Sequence, residues 1–192
     1  MRYGTANFGI TGVDWQERIN FDRMRSYRLE RAREMMKKAG LGAMLCMYDE
    51  NVRYITGTLT PGWNRLKPGL RYALLCGDGA PVLFEQGDIG AQVERHAPWI
   101  PPENIRYSYA WIKGAAGPAS TQQVTKFTNA ILEEMKRHGV AGEINGRIAL
   151  DLARDPLLLR AVRGQIRQCD HQPIGHRFNR LQVLCNTPDL FV

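Results

Sequence analysis

The stretch "TLTPGWNRLKPGLRY", Thr58 to Tyr72, holds the residues best equipped for binding chemistry. Trp63 and Arg65 stand two apart on a loop framed by proline and glycine and too polar to be core. They offer an aromatic wall and a planar two-pronged donor, the equipment for holding a small substrate that carries a carboxylate. The competing reading is an exposed tryptophan packed on its own domain beside a solvated arginine. A second dense stretch, "DENVRYITG" from Asp49 to Gly57, joins an acidic pair to an arginine-tyrosine step. Asp49 and Asn51 can bond nearby backbone and turn the chain off a strand end. Tyr54 and Ile55 can dock a short helical turn, and Gly57 permits an unusual φ. Asp49, Glu50 and Arg53 thus read as local hydrogen bonds with an ion pair, not as catalysis.

Other constellations carry less. Cys169, His171, His176 and Cys185 are ligand types that zinc accepts, but their spacing fits no structural-site pattern, so no metal site is assigned. Ser26, Ser108 and Ser120 sit in no nucleophile elbow, and no phosphate-binding Gly-x-x-x-x-Gly-Lys-Ser/Thr loop occurs. Asp49, Asp78, Asp88 and Asp151 fall at the ends of predicted elements, which suits turns and caps better than a paired acid and base. No catalytic residue is assigned.

The elements that would position these residues follow from periodicity. Apolar residues at Phe21, Met24, Ala32, Met35, Met36 and Ala39, with Leu29 at the edge, predict an amphipathic helix over 21–39, stopped by Gly40 and Gly42. "GAMLCMYD" is a continuous apolar run of the kind a strand buried on both faces shows. "RYALLCG" and "PVLFEQ" flank "DGA", whose Asp78-Gly79 step signals a hairpin. Asp88 can cap a short helix toward His96, "APWIPPEN" is a proline-broken loop, and "IRYSYAW" alternates like a strand. "KGAAGPAS" reads as a linker-like turn. The helix after it carries Val124, Phe127, Ile131, Leu132 and Met135 on one stripe, faces Lys126, Glu133, Glu134, Lys136 and Arg137 outward, and ends at Gly139. "GRIALDL" predicts one more buried strand. Beyond Asp151 only a short helix over Leu157 to Val162 is suggested.

This alternation predicts an α/β fold with a mixed central β-sheet flanked by helices. The expected organisation is an N-terminal arm over 1–20, one domain over 21–152 and an extension of uncertain structure over 153–192. A chain of 192 residues, 44% hydrophobic and 23% charged, suits a single globular core. The net charge of +7 raises the question of an anionic polymer. Much of that charge is interleaved with Glu30 and Glu34 on one helix and no recognised motif accompanies it, so no nucleic-acid partner is expected. No run approaches the ~20 apolar residues of a membrane span, and no secretory signal is visible, so a cytoplasmic location without membrane contact is expected. Cys46 and Cys76 lie in apolar runs and read as reduced core thiols.

The order of these elements, with "YDENVRYITG" directly after the first strand, resembles the N-terminal domain of the creatinase, prolidase and aminopeptidase P family. A strand followed by Asp and then Asn-(Val/Ile)-Arg-Tyr-(Leu/Ile)-(Ser/Thr)-Gly recurs there, and the likeness runs from Phe21 to Leu152. It implies a ribonuclease H-like arrangement of strands, an architecture that does not transmit nuclease chemistry. It also implies a non-catalytic lobe contributing to a homodimer, with Trp63 and Arg65 reaching a neighbouring subunit's pocket for a small-molecule or peptide substrate. Catalysis, and the divalent metals of the peptidase members, would belong to a following domain that is absent here. No cofactor and no activity are expected of this chain alone. The alternative from another class is a stand-alone binding module in which Trp63, Arg65, Trp99 and Trp111 line a pocket for a small anion.

Overall fold

The computed structural model describes residues 19–59, 70–87, 89–111, 113–140 and 148–151. Helix α1 (Phe21–Lys38) starts where Asn20 accepts a hydrogen bond from the Arg23 N–H at 2.9 Å. Its inner face buries Ala32 and Met36, while Glu30 and Glu34 lie in solvent as their interleaving with cations predicts. Strand β1 (Ala43–Cys46) is buried along its whole length. "DENVRYIT" then forms α2 (Asp49–Thr56), which starts at Asp49 itself and is longer than the short helical turn expected at Tyr54 and Ile55. The helix forms because Asp49 and Glu50 occupy its positive N-terminal end and Val52 and Ile55 give it a buried face.

The hairpin is as predicted: β2 (Tyr72–Cys76) turns through Gly77–Gly79 into the antiparallel β3 (Val82–Glu85). Helix α3 (Ile89–His96) crosses to β4 (Ile105–Tyr107), which lies parallel to β3. This strand is shorter than "IRYSYAW" suggests. After Tyr107 the Ser108 N–H bonds the Glu85 carbonyl at 2.8 Å, but the Ser108 hydroxyl turns to the Leu70 carbonyl at 2.7 Å and Trp111 is drawn into the core. "KGAAGPA" is not a plain linker: it holds the single turn α4 (Lys113–Ala116) and a 3-10 turn over Gly117–Ala119. Helix α5 (Ser120–Arg137) leads to β5 (Ile148–Asp151), which lies parallel to β1.

The five strands lie in the order β4-β3-β2-β1-β5. The antiparallel run β1-β2-β3, with β5 laid beside β1, is the ribonuclease H-like arrangement expected from the resemblance. Helices cover both faces. On one, Leu45, Leu74, Tyr72, Phe84 and Trp111 pack against Val124, Phe127, Ile131 and Met135 of α5. On the other, Met44, Ala73, Leu75 and Leu83 meet α1, α2 and α3. Successive side chains of a strand point to opposite faces, so each central strand feeds both cores. Each fully buried Leu or Phe contributes about 1.5–3 kcal/mol.

Candidate functional site

The positions of Trp63 and Arg65 fall outside the described residues, as do Asp88, the Leu157–Val162 helix and the four Cys and His residues of the tail. What the structure places is the ground from which segment 60–69 departs and to which it returns. Both ends rest on a buried polar network that sequence reasoning missed.

The network begins with strand register. Tyr72 stands opposite Phe84 and Ala73 opposite Leu83, so one rung further along the hairpin Arg71 faces Glu85. Both are buried, Arg71 at 5% exposure and Glu85 at 1%, with Arg71 Nε 2.5 Å from Glu85 Oε2. A second carboxylate, Asp49 at the start of α2, lies 3.6 Å from Arg71 Nη1. The Asp49 side chain thus serves an ion pair, one of the two roles expected of it.

From Arg71 Nη2 a hydrogen bond runs to Thr58 Oγ1. Thr58 Oγ1 lies 2.7 Å from Thr56 Oγ1, which donates to the Val52 carbonyl at 2.6 Å. A hydroxyl has one proton to give, so the direction is fixed: guanidinium to Thr58, Thr58 to Thr56, Thr56 to backbone. Aligned donors of this kind polarise one another in a medium of low dielectric. On the return side, the Leu70 carbonyl accepts from Ser108. Thr56, Thr58 and Ser108 are all buried.

The departing end is braced a second time. Trp99 Nε1 donates to the Thr56 carbonyl at 2.7 Å, and the Arg25 guanidinium stacks 3.8 Å from the centre of the Trp99 ring. Gly57 has φ 69°, and a Cβ there would stand 2.7 Å from Arg25 Cδ. Glycine is therefore required twice, by the backbone and by the arginine stem. Trp99 remains 40% exposed, and Leu59, the residue after Thr58, 70%.

This placement corrects the four-residue anion pocket. Trp111 is buried on the α5 face, tilted against Phe127 with ring centroids 4.2 Å apart, whereas Trp99 is engaged by Arg25 and Thr56 on the α1 and α2 face. The sheet lies between them, and they cannot line one pocket.

A second charged network corrects another expectation. Glu134, read as outward-facing, is buried and accepts from Arg106 Nε at 2.8 Å and Arg137 Nε at 2.6 Å. Arg137 Nη2 reaches Asn104 Oδ1 at 2.8 Å, which ties the end of α5 to the segment leading into the edge strand β4. Nearby, burial and the Glu134 charge push the Cys76 thiol up to about 12, so it stays protonated and inert. Burial and the Arg137 charge hold His138 below its ordinary value. Asp78, exposed in the hairpin turn, is lowered by its hydrogen bond to Lys37. Among the described residues no group of three or more His, Cys, Asp or Glu converges as metal ligands, and no helix is long and apolar enough to cross a membrane.

The profile of the creatinase/prolidase N-terminal domain matches residues 28–181. The chain belongs to that family. Solved structures similar to this creatinase/prolidase N-terminal domain include an "XXA-pro aminopeptidase" from Streptococcus pyogenes, 14% identical with a TM-score of 0.48, the match covering 75% of this chain and 86% of that one. The N-terminal domain of the cytoplasmic peptidase PepQ from Mycobacterium tuberculosis is 17% identical with a TM-score of 0.47, covering 73% and 85%. An Xaa-Pro dipeptidase from Bacillus anthracis is 12% identical with a TM-score of 0.47, and there the match covers 73% of this chain but 31% of that one. No curated protein matches the sequence.

Proposed function

We propose that this creatinase/prolidase N-terminal domain is the non-catalytic lobe of an Xaa-Pro peptidase-like hydrolase, acting in the cytoplasm. It supports a homodimer and supplies Trp63 and Arg65 as one wall of a pocket for a small molecule or peptide with a carboxylate. The observation that carries this reading is the family match over residues 28–181. It is supported by the buried base from which segment 60–69 departs, and by Leu59 and Trp99, which leave apolar surface beside that base for a partner subunit. Bond cleavage and any divalent metal are assigned to a separate catalytic domain.

Two measurements test the reading. The purified chain, incubated with an Ala-Pro dipeptide and Mn²⁺ or Zn²⁺, gives no turnover; activity that survives repurification overturns the non-catalytic role. In the intact enzyme carrying this lobe, Trp63→Ala and Arg65→Ala each raise KM for that dipeptide about tenfold or more while kcat changes little, as loss of a contact made alike in ground and transition states requires. An unchanged KM in both variants removes the pocket wall from the proposal.

A further inference from the structure

We propose that Arg106 on β4 and Arg137 at the end of α5 form a binding site for a phosphate dianion, either free inorganic phosphate or the end group of a small phosphorylated molecule. None of the residues assigned to the substrate pocket takes part.

The site is built on a buried carboxylate. Glu134 is 7% exposed and gives one oxygen to each arginine: Oε1 accepts from Arg106 Nε at 2.8 Å and Oε2 from Arg137 Nε at 2.6 Å. Two guanidiniums therefore flank one carboxylate, and the trio is left with an unbalanced positive charge. Joining α5 to β4 takes only Arg106. Arg137, three residues from Glu134 on the same helix, adds a cation that the carboxylate cannot also neutralise.

Arg137 is fixed a second time, because its Nη2 donates to Asn104 Oδ1 at 2.8 Å. Asn104 is itself buried, and its amide faces the Ala80 and Pro81 carbonyls beside the hairpin turn. A neutral acceptor orients the arginine without cancelling its charge. What remains is the outer edge of the pair. Among the described residues no protein acceptor meets Nη1 or Nη2 of Arg106 or Nη1 of Arg137, and both side chains are more than a third exposed. A guanidinium held by Nε and open at its Nη groups presents a preset fork to solvent, the geometry that phosphate oxygens match.

The local field agrees with this orientation. At Cys76, in the core, the Glu134 charge acts more strongly than that of Arg137 and helps to raise the thiol. At His138, just past the end of α5, the order reverses: the Arg137 charge outweighs that of Glu134 and helps to lower the imidazole. The network is negative toward the core and positive at the helix end. A phosphate dianion answers that excess with more charge and more acceptor oxygens than a carboxylate brings.

The test is an NMR titration of the ¹⁵N-labelled 192-residue chain with sodium phosphate at pH 7.5, ionic strength being held constant with sodium chloride. Amide signals of residues 104–107 and 134–138 are expected to shift along one saturable curve with a Kd on the order of 1 mM, as a few charge-assisted hydrogen bonds at a partly hydrated site supply. Sodium acetate in place of phosphate is expected to bind about tenfold more weakly. Arg106→Lys keeps the charge but loses the planar fork, and is expected to weaken phosphate about tenfold. Glycerol phosphate binding more tightly than inorganic phosphate identifies a phosphorylated small molecule as the ligand class, whereas equal or weaker binding identifies free phosphate. Shifts that never saturate, that spread over the other cations of the chain, or that acetate reproduces at equal affinity overturn the site. So does full affinity in Arg106→Lys, the mark of a diffuse positive surface. Should that variant fail to fold, Arg137→Lys gives the same reading from the other fork, and the acetate comparison needs no variant.

Discussion

The two charged networks lie on opposite faces of the sheet and differ in how far water reaches them. Around Arg71 and Glu85 both partners of the central pair are buried, with side chains 4% and 0% exposed. Around Glu134 only the carboxylate is buried, and the side chains of Arg106 and Arg137 stand 38% and 37% exposed. Similar ion pairs therefore do different work. The Glu134 arginines can swing into solvent when their partner is lost, so that network fastens α5 to β4 at modest gain. Arg71 has nowhere to go, and losing Glu85 leaves a desolvated guanidinium inside the protein with only the more distant Asp49 to balance it. Burial makes a salt bridge exacting long before it makes it stabilising.

Substitutions can break or sharpen this contrast. Glu85→Leu is expected to cost about 3–5 kcal/mol, read from urea unfolding midpoints, because it leaves the buried Arg71 with only the longer Asp49 pair at 3.6 Å. The comparison fails if Glu134→Leu costs as much. Gly57→Ala comes next, at about 1–2 kcal/mol, because its φ of 69° suits only glycine and the new methyl meets the Arg25 stem. Its effect should also appear in tryptophan emission, since Arg25 stacks on Trp99. Glu134→Leu is expected to cost about 1 kcal/mol, as for a network whose cations stay hydrated. The smallest effect is a pH dependence. His138 Nε2 is buried with no hydrogen-bond partner, and its pKa lies below the ordinary 6.5. The unfolded chain then binds the proton more readily than the folded one, so stability falls as pH drops below about 6.5 and holds above it. His138→Gln should flatten that slope in thermal unfolding followed from pH 7.5 to 5.5.

The difference between the networks also shows what a sequence discloses. Helices α1 and α5, the three strands of the meander and the reduced state of Cys46 and Cys76 follow from periodicity and turn chemistry. The Arg71 and Glu85 pair was within reach by the same means. Once the Asp78-Gly79 turn fixes the hairpin, counting outward along both strands places those two residues opposite each other. Glu134 lay on the helical stripe as well, seven residues after Phe127, but its charge argued for water. Only the fold brings Arg106 from the edge strand to neutralise it. The full length of α2, beyond the short helical turn expected at Tyr54 and Ile55, was hidden for a related reason. Asp49 and Asn51 favour turns when considered alone, and it is burial of Val52 and Ile55 against the sheet that carries the chain onward as a helix. Thr56 and Thr58 gave no signal, because a hydroxyl relay depends on neighbours distant in sequence.

The pairing of β1 with β5 has a bearing on how this domain is made. Ala43 takes its place beside Ile148, more than a hundred residues later, whereas Tyr72 and Phe84 are joined by a short turn. During synthesis the meander can assemble while one edge of Met44 and Leu45 still waits for its neighbour. Until the ribosome has delivered residue 151, that unpaired edge is open to strands from other chains, and the nascent protein is at its most vulnerable to aggregation.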